Sequence, residues 1–252
     1  KFQDSSALGD DSSGNTNDWT SANLTASDQM LDSPTFGSEG SANFPTLNPL
    51  SYSSQSTVTS TKGNTFYDGS TTSPGNYDAG MLCTMGAPSG QKYYWEAYLS
   101  GGGTASSGGG WSLRIASTGN VQELNTGAGP RCGGAANGYA YTSYSSLGIY
   151  HDGSITSYGT TPANLDIIGM ALDLSTAGSG SLTIYRNGVS MGVAVNGSIA
   201  DATWVPYMAV QGGTASAFDL TVNFGQDSTF AGAKTAGGNA DANGYGDFYY
   251  AP

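Results

Sequence analysis

The run Leu165-Asp166-Ile167-Ile168-Gly169-Met170-Ala171-Leu172-Asp173-Leu174, continuing to Val195 as STAGSGSLTIYRNGVSMGVAV, decides the fold. Ile167 to Leu172 is apolar throughout, as a strand near the middle of a sheet must be. Ser181-Leu182-Thr183-Ile184-Tyr185 alternates polar and apolar, the mark of a strand with one buried face. Ser175 to Gly180 between them is all small, turn-forming residues. Arg186-Asn187-Gly188 then supplies an Asn-Gly pair that tolerates positive φ, which predicts a tight hairpin into Val189 and beyond.

Working outward, Tyr93 to Leu99 alternates in the same way, with Tyr93, Trp95, Ala97 and Leu99 on one face and Tyr94, Glu96 and Tyr98 on the other. Short strands are expected at Thr57–Val58, Asn64–Tyr67, Met81–Met85, Trp111–Ile115, Tyr207–Gln211 and Phe218–Phe224. Ser100 to Gly110 is a Gly/Ser/Thr/Ala loop, across which Trp111–Ile115 is expected to pair with Tyr93–Leu99. Gly119 to Tyr158 reads as the most loop-like part, and Trp19 to Leu31 as a single strand. Asp32 to Tyr52, with Pro34, Pro45 and Pro49, reads as irregular chain packed over the rest, anchored by Phe44 and Leu47. No amphipathic helix of ~10 residues is visible, so the class is all-β. The expected core is Trp95, Ile168, Leu172, Leu182, Ile184 and Phe224.

These pieces, in this order, resemble the SPRY (B30.2-type) domains. Apolar strand, Leu172-Asp173-Leu174, Gly-rich turn and Leu182-Thr183-Ile184-Tyr185-Arg186-Asn187-Gly188 look like that family's central signature. Tyr93-Tyr94-Trp95-Glu96 resembles its early strand, Trp204-Val205-Pro206-Tyr207 the lead into its late strands, and Val222-Asn223-Phe224-Gly225 its closing motif. The flanks Asp11–Trp19, Asp32–Thr35 and Asn43–Leu50 are similar to the lead-in of SPRY-bearing tail-fibre-like and other virion proteins of bacteriophages. The resemblance implies a two-sheet antiparallel β-sandwich, a concanavalin-like jelly roll, over 57–230. Around it would lie an extended lead-in over 1–56 and an extended segment over 231–252 leading to a further module. Residues 1–8 then read as the end of an upstream module, with Lys1–Asp4 a strand entering from it.

Composition narrows the function. Charged residues make up 10% of the 252, against ~25% in an average domain, leaving a neutral-polar surface of the kind found on extracellular adhesins and virion fibres. A net charge of -12 with only seven Lys and Arg argues against nucleic acid, whose phosphates need clustered cations. No run of ~18 apolar residues exists to insert in a membrane as a helix. The single histidine, His151, sits in a Tyr150-His151-Asp152-Gly153-Ser154 turn, and no G-x-S-x-G elbow occurs. Glu39, Glu96 and Glu123 are too scattered for the closely spaced carboxylates of a glucanase, and Glu96 matches a structural acid of SPRY domains. An enzyme is therefore not expected; a concanavalin-like glycan hydrolase is the second alternative.

What remains is binding. Tyrosine offers a flat apolar face and a hydroxyl at small entropic cost. SPRY domains recognise partners through loops at one end of the sandwich, which makes Trp111, Tyr139, Tyr141, Tyr144 and Tyr150 the ligand-binding candidates, unless these rings lie on strand faces and only pack. The expected role is a virion-surface or tail-fibre-like module recognising host surface glycan or a neighbouring virion subunit; the alternative is a structural spacer. A homo-oligomer, with a trimer favoured, follows by analogy with phage fibres. The oxygen-rich loop with Asp10, Asp11, Asn15, Asn17 and Asp18 could hold calcium, although its spacing is not that of an EF-hand and Asx-turns need no metal. Cys83 and Cys132 fit no zinc pattern; they either form one disulfide or fill the core as thiols.

Overall fold

The computed structural model describes residues 4, 6–26, 43–52, 58–69, 79–101, 110–118, 138–143, 146–211 and 219–252. Its strands are β1 (Leu47–Tyr52), β2 (Thr59–Thr61), β3 (Phe66–Asp68), β4 (Ala79–Cys83), β5 (Lys92–Gly101), β6 (Gly110–Ser117) and β7 (Gly138–Thr142). They continue as β8 (Gly148–His151), β9 (Ser154–Ser157), β10 (Ile167–Asp173), β11 (Gly180–Arg186), β12 (Val189–Ile199), β13 (Trp204–Gln211) and β14 (Asp219–Asn223). There is no α-helix among the described residues.

The Asn-Gly turn does what its chemistry requires: Asn187 and Gly188 take φ of 50° and 76°, and β11 folds directly back as β12. β10 lies between β11 and β5, the central place its apolar sequence demands. This sheet has seven strands in the order β12-β11-β10-β5-β14-β3-β2, and the second has seven in the order β1-β4-β13-β6-β7-β8-β9. Every pairing is antiparallel. The two inner faces make the core. Met170 pairs with Trp95 and Ile184, and Leu172 with Leu182; opposite them a row Met81, Met208, Leu113, Tyr141 and Ile149 runs across the other sheet. All six expected core residues, Trp95, Ile168, Leu172, Leu182, Ile184 and Phe224, are buried.

Four expectations are corrected. β6 does not pair with β5: it lies between β13 and β7 in the other sheet, so the chain crosses the sandwich between them. Leu47–Tyr52 is not irregular but forms edge strand β1, where Pro49 removes a donor the ladder can do without; Leu47 is nonetheless the buried anchor expected and Phe44 packs on the core. Residues 138–158, expected to be loop, contain β7, β8 and β9. Residues 19–26 form no strand, and the rest of that expected strand, like Lys1–Gln3, lies outside the described residues.

The outer face of the β10 sheet carries Tyr94, Glu96, Tyr98 and Asn223, as the alternation of β5 required. The C-terminal segment turns back over it. Phe248 packs edge-on to Tyr94 at 5.4 Å, Phe230 lies 5.5 Å from Tyr98, and the Tyr250 ring sits 2.6 Å from where a Cβ on Gly188 would be. On the other sheet, a Cβ on Gly80 would overlap the Tyr207 hydroxyl, so that strand pair needs glycine there. The outer-face residues Ser112, Arg114, Thr142 and Tyr207 are themselves buried.

Candidate ligand-binding site

The expected aromatic platform is largely core. Trp111, Tyr139 and Tyr141 are 3%, 5% and 0% exposed. Their positions alternate with Ser112, Ala140 and Thr142 and pair across β6 and β7, so the rings point between the sheets. Trp111 meets Tyr141 edge-on at 5.1 Å, and Tyr139 stacks on His151 at 4.0 Å. Their hydroxyls are engaged too: Tyr139 donates to the Ser198 carbonyl (3.1 Å) and Tyr141 to that of Thr160 (3.4 Å). These rings therefore offer no free face. Tyr150 is half-buried on the opposite side of its sheet, and Tyr144 lies outside the described residues.

A cleft does open where the signature pieces converge. Asn43 and Pro45 before β1, Met85, Gly86 and Ala87 between β4 and β5, Tyr93 to Trp95 in β5, Pro206 in β13 and Phe224 after β14 enclose about 230 Å³. Local geometry fixes each wall. Ala87 and Trp204 exchange backbone hydrogen bonds (2.7 and 2.9 Å). The Tyr93 hydroxyl donates to the Pro88 carbonyl (2.9 Å), and the Gln226 side chain donates to Pro45 O (3.0 Å) while accepting from Phe224 N (2.6 Å). Trp95 stacks on Phe224 at 6.3 Å, and its indole N–H is buried without an acceptor among the described residues. No lining side chain is charged. The cleft is sized and lined for one uncharged apolar ring or side chain. In the sequence each piece is a fold signature, and nothing local to any of them shows that they meet around a cleft.

The ionisable groups are committed elsewhere. Glu96 is fully buried and accepts from Tyr249 N (2.9 Å), Tyr250 N (2.8 Å), Asn223 Nδ2 (3.1 Å) and the Tyr94 hydroxyl (3.3 Å). Burial pushes its carboxyl above the usual range, and the four donors offset only part of that. It clamps the C-terminal segment to the sheet. Asp166 is opposed by burial but held below the usual range by Asn187 Nδ2 (2.7 Å), Ala163 N (2.6 Å) and Arg186 Nε (2.6 Å). His151 Nδ1 is 2.8 Å from the Gly138 carbonyl. Glu39 and Glu123 lie outside the described residues.

In the oxygen-rich loop, Asp11 accepts from Ser13 N (2.8 Å), Ser13 Oγ (2.6 Å) and Asn17 N (3.2 Å), which holds its carboxyl below the usual range. Asp18 accepts from Asp11 N (2.9 Å). The Ser13 N bond is an Asx-turn and the longer-range ones close the loop on itself, and among the described residues no three His, Cys, Asp or Glu gather to hold a metal. Cys83 is a buried free thiol pushed well above its ordinary range by burial; Cys132 lies outside the described residues.

No protein-family model and no curated protein matches the chain. Solved structures do. The SPRY domain of human HERC1 is 14% identical over 70% of this chain and 96% of its own, with a TM-score of 0.50. A human SPRY domain is 10% identical over 66% and 93% (TM-score 0.49), and the Emp47p carbohydrate recognition domain 11% over 77% and 93% (TM-score 0.43). At the identity of the HERC1 domain the likeness is one of fold, and the fold is the SPRY-type, concanavalin-like sandwich.

Proposed function

We propose that this chain is a non-catalytic recognition module, a SPRY-type sandwich on a virion surface or in a tail fibre. It would hold a host surface glycan or a neighbouring virion subunit through an uncharged group seated in the cleft between Pro45, Tyr93, Pro206 and Phe224. The observation that carries this reading is the cleft itself: aromatic, neutral, and without Asp, Glu, His, Lys or Cys in its walls. The virion setting is supported by the similarity of the Asp11–Trp19 and Asn43–Leu50 stretches to phage lead-ins and by the sparse charge. A trimeric assembly is part of the proposal.

The burial of Trp111, Tyr139 and Tyr141 favours one competing reading, a structural spacer whose aromatics serve packing alone. Replacing Asn43 and Tyr93 together by Ala separates the two, because Asn43 is exposed and Tyr93 half-buried. Attachment to host cells or to assembled virion partner should fall while the melting temperature moves by only a few degrees. Unchanged attachment would favour the spacer.

A further inference from the structure

We propose that the N-terminal turn carries a second binding site, built around Trp19, for a neutral saccharide; this rests on the recognition-module reading and extends it to a site outside the sandwich. Of the four tryptophans, Trp95, Trp111 and Trp204 are 1%, 3% and 1% exposed, whereas Trp19 is 81% exposed. An indole left so bare gives up most of the apolar burial it could have, and a free aromatic face held in place is what stacks on the C–H face of a sugar.

The backbone that carries the indole is held in place. Trp19 N donates to the Gly9 carbonyl (2.8 Å), and the Asp11 and Asp18 bonds fix the intervening turn. Gly9 has no room for a side chain, since a Cβ there would overlap the Trp19 carbonyl. The result is a cleft of about 580 Å³, within the range that holds a small ligand. Leu8, Trp19 and Leu24 contribute apolar lining, and Asp10, Thr20 and Ser21 contribute polar lining. Asp11 is occupied by the turn's own donors, but the exposed Asp10 carboxylate accepts no hydrogen bond from any described residue.

A lining that combines a bare indole with carboxylate and hydroxyl groups suits a pyranose, which has a C–H face and a rim of hydroxyl donors. The lining contains no Lys or Arg, and the chain carries a net charge of -12, so an acidic sugar is opposed and a neutral one is not.

Because the other indoles are buried, acrylamide quenching of tryptophan emission reports on Trp19. The full chain is titrated with D-galactose, N-acetyl-D-glucosamine and maltose, and with sialic acid as the anionic control. At least one neutral sugar should protect the quenchable fraction saturably, with a blue shift. Asp10→Asn should weaken that protection about tenfold. Trp19→Ala, with an unaltered circular dichroism spectrum, should abolish retention on the same sugar coupled to a resin, and Trp19→Phe should restore part of it. No protection by any neutral sugar, equal protection by sialic acid, or protection that rises with protein concentration alone would overturn the proposal; the last would mean that a second copy covers Trp19. The Asn43/Tyr93 variant is scored separately, so loss of the Trp19 site leaves the reading of the sandwich cleft to its own result.

Discussion

Replacing Glu96 by Ala should release the C-terminal segment from the sheet while leaving the two-sheet core folded. The carboxylate accepts from two consecutive backbone N–H groups, those of Tyr249 and Tyr250, and from Asn223 Nδ2 and the Tyr94 hydroxyl. Asn223 Nδ2 keeps a second acceptor in the Asp247 carbonyl (2.8 Å), and the Tyr94 bond is long at 3.3 Å. The two backbone donors therefore bear most of the loss, at roughly 1–3 kcal/mol each when left buried and unpaired. Removing a buried carboxylate returns part of this, because burial disfavours its charged form. A net cost of about 3 kcal/mol is expected, which corresponds to roughly a hundredfold increase in the undocked population. Glu96→Gln, which keeps one acceptor, should lose about half as much. Hydrogen exchange at Tyr249 and Tyr250, together with limited proteolysis across the 237–246 stretch, reads the effect directly. Native protection at both amides in the Ala variant would refute the clamp. Neither variant should alter any hydrolytic activity, since Glu96 is spent on structure.

The buried tyrosines supply the next prediction: Tyr141→Ala should cost about 3–5 kcal/mol and lower the melting temperature sharply, whereas an unchanged melt would put that ring back on a surface. Stability should depend on pH in two opposed ways. The Glu96 carboxyl is raised in the fold, so its contribution is fully present below the ordinary carboxylate value and is lost as pH rises through the raised one. The Asp166 carboxyl is lowered, so its contribution is present above the ordinary value and is lost as pH falls through the lowered one. In denaturant melts across the acid range, Glu96→Gln should remove the first trend and Asp166→Asn the second; an unchanged profile in either variant would contradict the assignment. Light scattering at high concentration should find a trimer, and monomer alone would count against the proposed assembly.

The central hairpin was legible because its determinants are local. Period-two alternation in Ser181–Tyr185 and the left-handed demand of Asn187-Gly188 specify a strand and its turn without reference to the rest of the chain. The faces of β5 were legible for the same reason. Partnership was not. A Gly-rich connection between Leu99 and Trp111 suits a hairpin and a crossing between sheets equally, and only the competition of β10, β13 and β14 for neighbours decides it. The misplaced aromatics follow from a missed alternation. Tyr139-Ala140-Tyr141-Thr142 has large residues on one face and small ones on the other, the pattern of a buried strand, set among glycines and serines that suggested loop. The exposure of Trp19 had no local signal, because an aromatic is exposed or buried according to what packs on it.

The most direct test of the central claim is to incubate the folded chain with isolated host surface polymer and measure retention and polymer length in the same sample. The account predicts saturable, reversible retention, lost when Asn43 and Tyr93 are both replaced by Ala, with the polymer recovered at its original length. Shortening of the polymer would contradict the non-catalytic reading, and absence of retention on both host polymer and virion partner would contradict recognition itself.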